Sequence, residues 1–203
     1  GQIKENPSTA PNFCMLLRKH IGNARILSVT QPNFERIVEM QLEHLDEMGD
    51  LCQKKLIVEI MGKHSNIIFT DADGTIIDSI KHISHQVSSV REVLPGRTYV
   101  YPPAQEKENP LDIDINYFMN HVLRKPVSVT KAIYTSLTGL SPVIANEICY
   151  RAGVDGGMST AGLSMQEQED LYAAFDAMRT SIKEEQFAPC IAYQGYAPKE
   201  FAA

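Results

Sequence analysis

"LIVEIMGKHSNIIFTDADG", residues 56–74, sets two strongly apolar runs, 56–61 and 67–69, on either side of a short loop of Gly, Lys, His, Ser and Asn. Runs of that length bounded by turn residues read as strands, and Gly62 supplies backbone freedom that a residue with a Cβ would resist. The closing "DADG" is a second hairpin signal, leading into a further strand over "TIIDSIKHI". Upstream, Val38, Met40 and Leu42 alternate with Glu39, Gln41 and Glu43, the two-residue period of a half-exposed strand. "DEMGD" at 46–50 turns that strand into the apolar run, and "ARILSVTQP" precedes it. From residue 25 to residue 83 the chain therefore reads as an antiparallel meander of about five strands, judged by turn spacing. The polar loop at 62–66 either satisfies its own turn and water or offers a contact surface to a large partner, and the residues leave both readings open.

Ahead of the meander, Asn12 is placed to cap a helix over "FCMLLRKHI", with Phe13, Leu16, Leu17 and His20 or Ile21 on one face. Behind it, "LPG" and prolines 95, 102, 103 and 110 mark a boundary, because proline continues neither a helix nor a central strand. Helical patterns follow over 113–123, 129–137, 142–152 and 165–183, the last opened by Ser164 and Glu167 at capping-box spacing. "APCIAYQGY" reads as one returning strand. The expected class is α+β: a β-rich domain over 1–110 and a helical domain over 111–203.

With 203 residues, 43% of them hydrophobic, the chain can bury an ordinary core. A net charge of −6 argues against a surface that coats nucleic acid everywhere, so any phosphate contact must be local. Cys14, Cys52, Cys149 and Cys190 are far apart and form no C-x-x-C pair, which fits a reducing cytosol. No apolar run approaches the roughly 20 residues that cross a bilayer, and no secretory leader is visible. The polar start "GQIKENPSTAP", without Met, reads as a processed or excised piece.

Several motifs are weighed and set aside. A P-loop needs Gly five residues before Gly62 and Ser or Thr after Lys63, where Ile57 and His64 stand. His82 and His85 lack the ligand cluster of a metal site, and Asp71, Asp73 and Gly74 lack the terminal Glu of a calcium loop, so no metal is expected. "SLTGLSPVIANEICYRAG" has the shape of a helix-hairpin-helix, in which Gly139, Leu140 and Ser141 would offer backbone N–H groups and a helix N-terminus to a nucleic-acid phosphate. Plain helix packing explains the same turn. Glu35 and Arg36 would ordinarily be an exposed ion pair, and Arg18, Lys19, Arg91, Arg97, Arg124 and Lys125 are solvated cations by default.

"NPSTAPNFCMLLRKHI", "VEIMGKHSNIIFTD" and "REVLPGRTYVYPPAQEKENP" together resemble the NFACT family of RqcH- and NEMF-like proteins, formerly labelled fibronectin-binding protein A. The resemblance implies a first domain related to the N-terminal domain of MutM-type glycosylases, then a helix-hairpin-helix domain. It implies a cytoplasmic module that binds tRNA, alanyl-tRNA in particular, and the large ribosomal subunit, and that supports alanine tailing of stalled chains. An Asp-Arg pair of the family falls on Glu35 and Arg36, with Glu one methylene longer, and Lys63 and His64 would face RNA or lie beside the tRNA. The family's domain begins several strands earlier, so the sheet should present an uncovered edge open to a second copy or to the absent segment. Neither cofactor nor catalysis by the chain itself is implied. A surface adhesin for fibronectin or fibrinogen is the alternative. A DNA glycosylase is disfavoured, because Gly1 is not the proline nucleophile and the hairpin has no Lys beside it.

Overall fold

The computed structural model describes residues 5, 7–103 and 106–202. Helix α1 (Asn12–Ile21) buries Phe13. Its expected cap is displaced by one residue. Pro11 already holds the extended dihedrals of a cap and its carbonyl accepts from the Met15 N–H, so Asn12 is the first helical residue and no side chain caps the turn.

Strands β1 (Arg25–Thr30), β2 (Ile37–Leu45), β3 (Leu51–Glu59), β4 (Asn66–Asp71) and β5 (Ile76–Ser79) form one antiparallel sheet in chain order, the meander expected from the turns. The turns are made by their aspartates. Asp46 Oδ1 accepts from the N–H groups of Met48 and Asp50 at 2.8 and 2.9 Å, and Asp71 Oδ1 from those of Asp73 and Thr75 at 3.0 and 2.9 Å. Both carboxylates satisfy backbone donors that a tight turn leaves unpaired.

β2 is half-exposed over most of its length, with Ile37 and Leu42 its buried residues, whereas β4 is buried on both faces. Register places Glu39, Ile57, Ile68 and Ser79 in one row and Met40, Leu56 and Phe69 in a row on the opposite face. The first face packs with Val93, Ile83 and Tyr99 from the irregular segment after β5, and Glu39 accepts a hydrogen bond from the Tyr101 hydroxyl. On the second face the Phe69 ring lies 6.0 Å from that of His20 in α1. Both faces are covered, so Ile68, Phe69 and Thr70 are buried in succession. β1 is the exception: all six residues are exposed, including Ile26, Leu27 and Val29, and a bulge between Ile26 and Ser28 interrupts its pairing with β2.

The chain divides between residues 104 and 105 into two compact units. In the second, α2 (Ile115–Tyr117) passes into one wide turn closed by the Leu123 N–H on the Phe118 carbonyl at 3.0 Å. Helices α3 (Val129–Ser136), α4 (Pro142–Arg151) and α5 (Met165–Lys183) follow. Their apolar faces enclose Phe118, Ile133, Leu137, Ile148, Leu171 and Phe175, with Phe118 stacked on Phe175 at 5.0 Å. The capping box of Ser164 and Glu167 is formed. The expected returning strand instead becomes a separate ribbon, β6 (Cys190–Gln194) and β7 (Ala197–Ala202), turned at Gly195 with φ +64°. A glycine at positive φ makes a tight reversal at no steric cost, which brings the chain back on itself. The α+β class holds.

Candidate functional site

At one end of the sheet β2 begins, β3 and β5 end, and β4 begins. Arg36 stands just before β2; its carbonyl accepts from the Ile60 N–H at 2.8 Å, which ties it to the chain entering the β3–β4 turn. That turn is a single tight helical turn, Gly62–His64, with Gly62 at φ +57°. Lys63 and His64 are exposed on it. Lys81, directly after β5, reaches back so that its ammonium donates to the Lys63 carbonyl at 3.0 Å. Arg36, Lys63, His64 and Lys81 thus share one end of the sheet, and all four are exposed. Among the described residues no carboxylate forms a salt bridge with any of them.

The polar loop divides into two kinds of residue. Ser65 Oγ accepts from the Met61 N–H at 2.9 Å and closes the turn. Asn66, buried, donates to the Lys81 carbonyl and accepts from the N–H groups of Lys81 and Ile67, each at 3.0 Å, clamping β5's exit against β4. Ser65 and Asn66 are therefore structural, whereas Lys63 and His64 face solvent.

The connection before Arg36 is unusual. Asn33 and Phe34 lie at φ 54° and 57° in succession, a conformation a bulky aromatic residue adopts only when its surroundings impose it. Gln31 Nε2 holds the following Glu35 carbonyl at 2.8 Å. Glu35 is half-buried, Arg36 exposed, and no salt bridge joins the two side chains.

Behind this end lies a group that the sequence did not disclose. Glu59, the last residue of β3, has a fully buried carboxylate that receives Arg91 through two hydrogen bonds of 2.7 and 2.6 Å and the Tyr99 hydroxyl at 2.8 Å. Arg91 is thus no solvated cation; the forked guanidinium satisfies both carboxylate oxygens in a place water does not reach. Burial first, and then the neighbouring Glu59 charge, push the Tyr99 hydroxyl well above its ordinary value. Arg97 does reach solvent, paired with Glu92 at 3.1 Å.

In the helical unit, Gly139 is exposed at φ +77° and Ser141 caps α4, its hydroxyl accepting from the Ile144 N–H at 3.3 Å. Leu140 between them turns its side chain into the core. Among the described residues the N–H groups of Gly139, Leu140 and Ser141 meet no backbone acceptor. Ser141 is thus explained as a cap. Among the described residues no three His, Cys, Asp or Glu side chains gather as a metal site; His82 meets Asp78 at 2.6 Å and His85 meets Glu92 at 3.5 Å.

Residues 2–203 match the family model described as NFACT N-terminal and middle domains. The chain belongs to the NFACT family. Over 192 residues it is 40% identical to the Rqc2 homolog RqcH of Bacillus subtilis (strain 168), covering 94% of this chain and 32% of that protein. An archaeal Rqc2 homolog, aRqcH of Methanocaldococcus jannaschii, is 32% identical over 179 residues, covering 84% and 24%. Among solved structures, the fibrinogen binding protein from Staphylococcus aureus superposes with a TM-score of 0.74 at 29% identity, covering 96% of this chain and 66% of that one. The chain thus spans about a third of the length of the Bacillus relative it matches. No helix among the described residues is long and apolar enough to cross a membrane.

Proposed function

We propose that this chain is the tRNA- and large-ribosomal-subunit-contacting portion of a cytoplasmic ribosome quality control factor, one that positions alanyl-tRNA for C-terminal tailing of stalled nascent chains. The observation that carries the reading is the convergence of exposed Arg36, Lys63, His64 and Lys81 on one end of a sheet in a chain of net charge −6. A guanidinium there can hold a phosphate through two parallel bonds, with the ammonium groups as point charges beside it. The N–H groups of Gly139–Ser141, which meet no backbone acceptor among the described residues, would give a second phosphate contact of the helix-hairpin-helix kind. The proposal makes the chain a positioning module, with bond formation left to the ribosome. It includes pairing along β1, with a second copy or with a strand from outside this sequence.

The test is tRNA binding and tailing by the full-length parent and by its Arg36→Ala variant. Removing one charge-assisted phosphate contact should weaken binding about tenfold and leave the unfolding temperature unchanged, since Arg36 is exposed. Unaltered affinity and tailing would remove the site. The likeness to a fibrinogen binding protein favours a second reading, a surface adhesin. Labelling of the full-length protein on intact cells separates the two.

A further inference from the structure

Residues 31–36 join β1 to β2, and three ties hold that connection. The Glu35 N–H donates to the Pro32 carbonyl at 3.0 Å, the Gln31 side-chain amide donates to the Glu35 carbonyl at 2.8 Å, and the Ile60 N–H donates to the Arg36 carbonyl at 2.8 Å. The first and third are backbone bonds. Only the second comes from a side chain.

Inside the connection, Asn33 and Phe34 stand at φ 54° and 57°. Asparagine enters this left-handed region more readily than most residues, but phenylalanine does so at a cost, and two in succession must be offset by what surrounds them. One ordinary hydrogen bond returns less than two such residues cost, so the turn persists only while its ties act together. Arg36 follows directly. Among the described residues no carboxylate holds its guanidinium. The direction of that side chain is therefore inherited from its backbone, which Gln31 fixes on one side and Ile60 on the other.

We propose that Gln31 is a positioning residue for Arg36: its amide braces the strained turn so that the guanidinium stands ready at the basic end of the sheet, and Gln31 itself does not touch the RNA. The inference rests on the tRNA reading of Arg36 and adds to it a residue that carries no charge. A side chain already held in its binding direction loses less conformational freedom when it meets a phosphate, which is how a brace that touches no ligand raises affinity.

The test is a double-mutant cycle on alanyl-tRNA binding by the full-length parent, with Gln31→Met, Arg36→Ala and the two combined, each measured over a range of salt. Methionine keeps the length of glutamine and loses the donor. Gln31 is exposed, so the variant should fold. Gln31→Met should weaken binding about fivefold. It should also make the salt slope shallower although no charge has been removed, because Arg36 no longer meets its phosphate. Added to Arg36→Ala, it should change affinity by less than about twofold. A Gln31 that touched RNA directly, or that only stabilised the fold, would weaken binding equally in both backgrounds and leave the slope as it was; either result overturns the proposal. Unchanged affinity in Gln31→Met while Arg36→Ala weakens binding also overturns it, and leaves the tRNA reading standing. Unchanged affinity in both single variants removes the two together.

Discussion

Arg91 shows how much one residue carries here. Its pairing with Glu59 spans 32 positions of sequence and fastens the irregular segment after β5 to the sheet. Truncating either partner would leave a buried charge uncompensated, so Arg91→Ala should lower stability by about 3–5 kcal/mol in urea titration. Arg91→Lys should restore only part of it, because an ammonium cannot serve both oxygens in the fork geometry. Tyr99 and Tyr101 set the alkaline limit of the same face. The Tyr101 hydroxyl is pushed up to about 12 by burial and by Glu39, and Tyr99 moves further in the same direction. Both are raised above the unfolded value of 10, so their contribution is complete below pH 10 and is lost as the unfolded chain ionises while the folded one does not. Thermal stability should fall as pH rises from 10 towards 12, and Tyr101→Phe should flatten part of that fall. In the helical unit, a Cβ at Gly156 would lie 2.2 Å from Thr130 Oγ1 and 3.2 Å from Cys149 Sγ. Gly156→Ala should cost about 1–3 kcal/mol of that unit's stability, measured by thermal melting.

Among the elements, β1 stands out because nothing described covers it. Six exposed residues, three of them large and apolar, give an unpaired edge of the kind that recruits another strand. Sedimentation velocity should show association that rises with concentration, and Val29→Lys should suppress it. A chain monomeric at every concentration would remove edge pairing with a second copy. Elements of this kind were legible in the sequence where the cause is local. The turns at 46–50 and 71–74 announce themselves through Asp and Gly, and α5 through Ser164 and Glu167, because each is made by side chains bonding backbone a few residues away. The helix pair around Gly139 was legible for the same reason. What was hidden depends on distance. Nothing near Arg91 or Lys81 marks the first as the partner of Glu59 or the second as a neighbour of Lys63, because period and turn chemistry carry no record of which residue meets which across the sheet. The two-faced burial of β4 was invisible likewise, since its cover on one side is a segment without regular structure.

In the molecule taken whole, one cluster of cations without carboxylate partners among the described residues matters most. The sheet unit gathers Arg36, Lys63, His64 and Lys81 at one end, while Asp46, Glu47, Asp50, Asp71 and Asp73 fall in the turns of the other. A net charge of −6 would repel a polyanion from most approaches, so RNA should meet the basic end first. The logarithm of tRNA affinity of the full-length parent should then fall linearly with the logarithm of salt, and Arg36→Ala should make the slope shallower by about one. A flat response would sink the phosphate mechanism. The two units also differ in what holds them: one encloses Ile37, Ile57, Ile68, Ile76 and Val93, the other Phe118, Ile133, Leu137 and Phe175. Damage should therefore stay local. Ile57→Ala, at about 2–5 kcal/mol, should displace one of two heat-absorption peaks in calorimetry and leave the other in place, so that a lineage could wear away one half of this chain while the other went on folding.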